Sequence, residues 1–144
     1  PPYYEQVCGL LNGERNKELG AFEKWDFQKF QPDVIVVNLG TNDGSGTKDM
    51  EKVGNAVEDF LKKLRNCNPG SYILWCYGML GNGILPTLEK AIQNYKTKSG
   101  DERVEFVELP DTLEGEFGSR QHPGHPSHEK TAKVLVEKIR EIAG

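Results

Sequence analysis

Residues 34–39 read VIVVNL, a run that is apolar and mostly β-branched on both faces, interrupted only by Asn38. A strand with one face in water alternates apolar and polar side chains, so a run without alternation needs cover on both sides. That is the signature of a parallel strand sandwiched between helices. Pro32-Asp33 opens the run and Gly40 closes it, as turn residues do. The remaining pattern fits such a sandwich. Met50, Val53, Val57, Phe60, Leu61 and Leu64 recur at spacings of three and four, which predicts an amphipathic helix over residues 49–66, stopped by Asn68-Pro69-Gly70. Residues 72–77 (YILWCY) predict a second buried strand, and Leu88, Ile92 and Tyr95 a helix that ends at Ser99-Gly100. Residues 104–109 predict a third strand. Residues 127–143 carry Ala132, Leu135, Val136, Ile139 and Ile142 behind a capping serine and predict a closing helix. Residues 1–30, punctuated by Gly9, Gly13 and Gly20, predict loops with short helical pieces, and residues 41–47 a loop.

Strands alternating with helices make an α/β chain with right-handed crossovers, and no repeat or linker divides it. Three strands are few, because open sheets of this kind usually have about five or six. We expect a preceding segment of the protein to supply the others. The opening Pro1-Pro2, with no methionine and no signal-like core, agrees with that expectation.

Eighteen Lys and Arg against 22 Asp and Glu leave a net charge of −4. The densest basic cluster, Lys62, Lys63 and Arg65, is one solvated helix face, so no nucleic-acid partner is expected. No apolar run reaches the roughly 20 residues of a membrane span, and no membrane partner is expected. Three cysteines, Cys8, Cys67 and Cys76, form no C-x-x-C pair and allow at most one bridge plus a free thiol. Cys76, inside a strand, is expected to be a small buried hydrophobe.

Ligands of open α/β sheets bind beyond the carboxyl ends of the strands. Two segments belong there. Gly40-Thr41-Asn42-Asp43 follows the first strand directly, and its Asn42 and Asp43 either satisfy turn amides and cap the next helix or face a ligand. Residues 119–130, SRQHPGHPSHEK, hold all three histidines, His122, His125 and His128. Their spacing invites a zinc reading, but three rings must converge on a metal, and Pro123 and Pro126 break the helical face that would bring them together. No metal and no cofactor is expected. His122 is then the candidate general base, with His125 and His128 exposed or capping.

Together these segments resemble a family. Trp25-Asp26-Phe27, then Gln31-Pro32-Asp33 leading through the apolar strand to Gly40-Thr41-Asn42-Asp43, and later His122-Pro123 with His128 and Ala132, resemble SGNH/GDSL-type hydrolases. The resemblance is greatest to the acetyl esterases of carbohydrate esterase family two. It implies a flavodoxin-like three-layer α/β/α fold with a parallel sheet, of which residues 1–144 would be the C-terminal portion of a single domain, incomplete on its N-terminal side. The implied activity is a serine esterase that deacetylates carbohydrates. Asn42 matches the oxyanion-hole asparagine, Gly40 the glycine that permits its turn, and His122 the general base. Asp43, Tyr77 and Gln121 are the expected substrate contacts, with the loop of residues 78–83 beside Tyr77, whereas Trp25 and Trp75 are expected in the core.

Two departures qualify what the resemblance implies. The family's nucleophile lies in a Gly-Asp-Ser motif, and the chain contains no such tripeptide; it is expected on an upstream segment. The acid that often stands three residues before the histidine is replaced by Ser119. A dyad is therefore expected, with a backbone carbonyl or an acid such as Asp111, Glu114 or Glu116 holding the ring. An acetylated saccharide is the implied substrate and an extracellular site the implied location. The alternative is a carbohydrate-binding domain that kept the fold and lost catalysis.

Overall fold

The computed structural model describes residues 3–8, 13–46 and 49–144. The predicted positions Gly9 and Thr47 lie outside the described residues. Three strands, β1 (Val34–Asn38), β2 (Tyr72–Gly78) and β3 (Val104–Leu109), form a parallel sheet in the order β1-β2-β3. Five α-helices accompany them among the described residues: α1 (Glu14–Glu18), α2 (Thr41–Gly46), α3 (Met50–Cys67), α4 (Leu85–Ser99) and α5 (His125–Ala143). The register Val37↔Trp75↔Phe106 puts Ile73, Trp75, Tyr77 and Val104 on one face. The apolar stripes of α3 (Val53, Val57, Phe60, Leu61, Leu64) and α4 (Leu88, Ala91, Ile92, Tyr95) close that face into the main core. On the opposite face Cys76, Met79 and Leu109 pack with Val107 and with Leu135 of α5. The predicted three layers are thus present.

Local chemistry explains most boundaries. Asp49 caps α3 by accepting a hydrogen bond from the Lys52 amide at 3.0 Å, satisfying an amide that has no partner inside the helix. Gly100 ends α4 in the left-handed conformation with φ 70°. At the amino ends of the strands Arg65 gathers the chain. Its Nε meets Asp101 at 2.7 Å, and its Nη1 donates to the carbonyls of Asn68 and Ser71.

Three expectations are corrected. The predicted loop after β1 is a short helix, α2, over its described part. Ser127 is no cap: α5 starts two residues earlier behind Gly124, and Ser127 is fully buried, its hydroxyl 2.7 Å from that of Thr112. Trp25 is 43% exposed rather than in the core, whereas Trp75 is buried.

Beyond β1 no further strand pairs among the described residues. Val36 on that strand is 43% exposed and Val136 of α5 45% exposed. Val36 lies opposite Leu74 and shares its face, the one α5 covers. All three cysteines are free thiols, and burial pushes that of Cys76 up to about 11.

Candidate active site

Because the strands are parallel, the chain leaves all three at the same edge, and the loops that follow them meet there. The first turns at Gly40, whose φ of 130° is closed to other residues, and a Cβ there would stand 3.1 Å from Ile84 Cδ1 and 3.2 Å from Tyr77 Cε2. The backbone can therefore lie directly on those side chains. Asn42 and Asp43 follow in the first turn of α2, both exposed. Tyr77 does not face a ligand: it is 3% exposed and supports the turn from below, its ring against Gly40 and its hydroxyl 3.3 Å from the Cβ position of Gly44.

The loop after β2 begins with Gly78 and Met79, both at positive φ, 141° and 68°. A Cβ on Gly78 would collide with the Leu109 carbonyl oxygen at 2.2 Å, so glycine is required for the ends of β2 and β3 to close on each other. This loop is joined to the one after β3 by two hydrogen bonds. The Thr112 amide donates to the Met79 carbonyl at 3.0 Å, and the Gly81 amide donates to Asp111 Oδ1 at 2.8 Å.

The third loop carries His122. Arg120 and Gln121 both adopt the left-handed region, with φ 54° and 59°, a conformation that costs a non-glycine residue on the order of 1–3 kcal/mol. The turn is held closed by the Gly118 amide, which donates to the His122 carbonyl at 2.7 Å, and by the His122 amide, which donates to the Ser119 carbonyl at 3.1 Å. Its result is that the Arg120 carbonyl lies 3.0 Å from His122 Nδ1. A carbonyl can only accept, so this bond needs the proton on Nδ1 and leaves the lone pair on Nε2. Nε2 is then free to take a proton, as a general base must. Two of the three candidate acids are engaged elsewhere: Asp111 with Gly81, and Glu116 with Lys130 at 2.7 Å and with the Leu113 amide at 2.8 Å. The role of the Arg120 carbonyl had no residue-type signal, because a carbonyl belongs to every residue. Only the missing acid pointed to it.

Gln121 is exposed on the same turn. His125 and His128 are exposed at the start of α5. Among the described residues no three His, Cys, Asp or Glu side chains converge so as to hold a metal ion. Among these residues also, no helix is long and apolar enough to cross a membrane.

A cleft of about 270 Å³ enters beside Gly40 and Asp43 and runs between Trp75, Leu88 and the α3 residues Val53, Val57 and Phe60. A larger groove of about 560 Å³ lies between α3 and α4, lined by residues such as Glu58, Lys90 and Asn94. It includes neither Asn42 nor His122. The strand-end loops, where ligands of parallel sheets bind, carry Asn42 and His122 instead.

Comparison with known proteins agrees with the fold. A solved acetyl xylan esterase from the rumen bacterium Butyrivibrio proteoclasticus is 42% identical and superposes with a TM-score of 0.93 over 98% of this chain and 44% of its own. A family two carbohydrate esterase from Clostridium thermocellum, solved in complex with cellohexaose, is 31% identical with a TM-score of 0.76, over 82% of this chain and 38% of its own. A cellulase/esterase of Acetivibrio thermocellus is 33% identical over 128 residues, 84% of this chain and 16% of that protein. The chain thus spans less than half the length of each relative. Residues 10–133 match the family described as GDSL-like lipase/acylhydrolase, and with a parallel sheet flanked on both faces by helices and superposing on the solved esterases, the chain belongs to that family.

Proposed function

We propose that the chain is the histidine-bearing part of a serine esterase that removes acetyl groups from carbohydrates. The observation that carries this reading is the bond between His122 Nδ1 and the Arg120 carbonyl, which leaves Nε2 as a base at the strand-end loops. The names of the similar proteins, an acetyl xylan esterase and a carbohydrate esterase, support the substrate class. A polysaccharide is too large to cross a membrane, so an enzyme acting on it works outside the cell.

The nucleophile is assigned to residues outside these 144. No Gly-Asp-Ser occurs in the sequence, and the open edge of β1 offers unpaired backbone groups to one more strand. The exposed Val36 of β1 would gain a neighbour on that side. A serine delivered at the carboxyl end of that strand would stand beside Gly40 and Asn42.

The reaction then follows. Nε2 of His122 takes the serine proton as Oγ attacks the acetyl carbonyl carbon, and the carbonyl π electrons move to oxygen. The side-chain amide of Asn42 donates to that oxyanion. Collapse breaks the bond to the sugar oxygen, which leaves with the proton from Nε2. Water, deprotonated by the same nitrogen, attacks the acetyl-serine, and acetate departs as the serine regains a proton. Asp43, next to Asn42, and Gln121, next to His122, are assigned to the saccharide.

The test is hydrolysis of 4-nitrophenyl acetate by the 144-residue chain, alone and extended by the segment bearing Gly-Asp-Ser. Activity only in the extended protein, lowered about 10²–10³-fold in kcat by Asn42→Ala and at least as strongly by His122→Ala, is the expected result. Turnover by the 144 residues alone that depends on His122 would place the nucleophile inside the chain. Inactivity of both, with retained glycan binding, would favour the non-catalytic domain.

A further inference from the structure

We propose that the ion pair between Lys130 and Glu116 is the positioning device that holds His122 in its base-competent orientation. This rests on the reading of His122 as general base. Lys130 sits in the second turn of α5 and reaches back across the loop. Its Nζ lies 2.7 Å from Glu116 Oε2 and donates to the Asp111 carbonyl at 2.8 Å. Glu116 is tied at both ends. Its side chain also accepts from the Leu113 amide at 2.8 Å, and its own carbonyl accepts from the Gly124 amide at 2.8 Å, just before α5 begins. An isolated antiparallel bridge joins Phe117 to Pro123 inside this bracket, and the Gly118 amide holds the His122 carbonyl.

The histidine turn is thus the tip of a small hairpin whose base is fastened to α5 by one ammonium. The tip needs fastening, because Arg120 and Gln121 are strained there and strained backbone persists only where its surroundings over-determine it. Without the clamp the turn is free to relax, the Arg120 carbonyl leaves Nδ1, and the neutral ring is free to carry its proton on either nitrogen. An imidazole protonated on Nε2 cannot accept the nucleophile's proton there. Glu116 and Lys130 therefore act through His122 and touch no substrate.

The experiment is nitrogen NMR of the His122 ring in the 144-residue chain above the histidine titration, together with amide hydrogen exchange. In the unsubstituted chain the neutral ring is expected to carry its proton on Nδ1. Lys130→Met and, independently, Glu116→Gln should shift the ring toward the Nε2-protonated form and speed exchange at Gly118 and Gly124 at least tenfold, with β2 amides unchanged. Lys130→Arg should restore both readouts. Unchanged tautomer in both variants, or faster exchange spread equally through β2, would overturn the proposal. Neither readout involves ester hydrolysis, so failure of the clamp is distinguishable from failure of the esterase reading, which the His122→Ala rates decide.

Discussion

Gly40 shows how far one residue governs the site. Its positive φ and its contact with Tyr77 and Ile84 leave no room for a side chain, so Gly40→Ala should cost about 1–3 kcal/mol, read as a lower urea midpoint. The same substitution should displace Asn42 and lower kcat of the extended enzyme with little change in KM. Cys76 offers an independent check on the core. Buried under α5, its thiol is raised to about 11 by loss of solvent, whereas Cys8 and Cys67 are only partly buried. With a disulfide reagent at pH 8 the native chain should titrate two thiols at most, and all three after unfolding. A third native equivalent would contradict the packing of β2. At this scale the sequence was legible where a residue type imposes a geometry: the turn after β1 has the positive φ that the glycine at position 40 permits. Tyr77 was misread because an aromatic ring at a strand end looks the same whether it faces the crevice or supports the loop from beneath.

Among the elements, α3 shows how local signals and packing combine. Its periodic stripe and its Asp49 cap were both present in the sequence, and removing the cap by Asp49→Ala should cost about 1 kcal/mol, measured as a fall in thermal midpoint. The junction of α3 and α4 with β3 carries a pH dependence. Burial alone would raise the carboxyl of Asp101, but hydrogen bonds from Arg65, the Arg103 amide and Tyr95 outweigh it and hold the group below its ordinary value. A depressed carboxylate adds stability above its unfolded pKa of about 3.9, and that stability disappears as pH falls through the folded value. Asp101→Asn should therefore lower stability at pH 7 by about 1.5–3 kcal/mol and flatten the fall of the thermal midpoint below pH 4. An equally steep fall in the variant would show that other carboxylates dominate acid unfolding. Two short-range misjudgements also belong to this scale. The helix α2 carries two glycines and no apolar stripe, so periodicity could not find it. Ser127 has the residue type of a cap, yet three-dimensional packing places its hydroxyl against Thr112.

Over the whole molecule, the sheet is covered on one face by α3 and α4 and on the other by α5, with its β1 edge open. Val36→Lys tests what that edge is for. In the 144-residue chain the position is exposed, and the change should alter stability by no more than about 0.5 kcal/mol, read from the urea midpoint. In the extended protein the same lysine should weaken docking of the nucleophile-bearing segment and lower activity. Equal tolerance in both would argue that no strand joins there. The three strands and the three long helices were legible in the sequence alone, because hydrophobic periodicity and turn chemistry are local properties of the chain, but β1, expected to be covered on both faces, has only Val37 buried and leaves Val36 exposed. Which carbonyl meets His122 Nδ1 was decided by the left-handed backbone of Arg120 and Gln121, which their residue types do not announce, and which acids are already held by Gly81 and Lys130 was decided only by the tertiary structure, because those contacts join groups that folding brings together from separate segments.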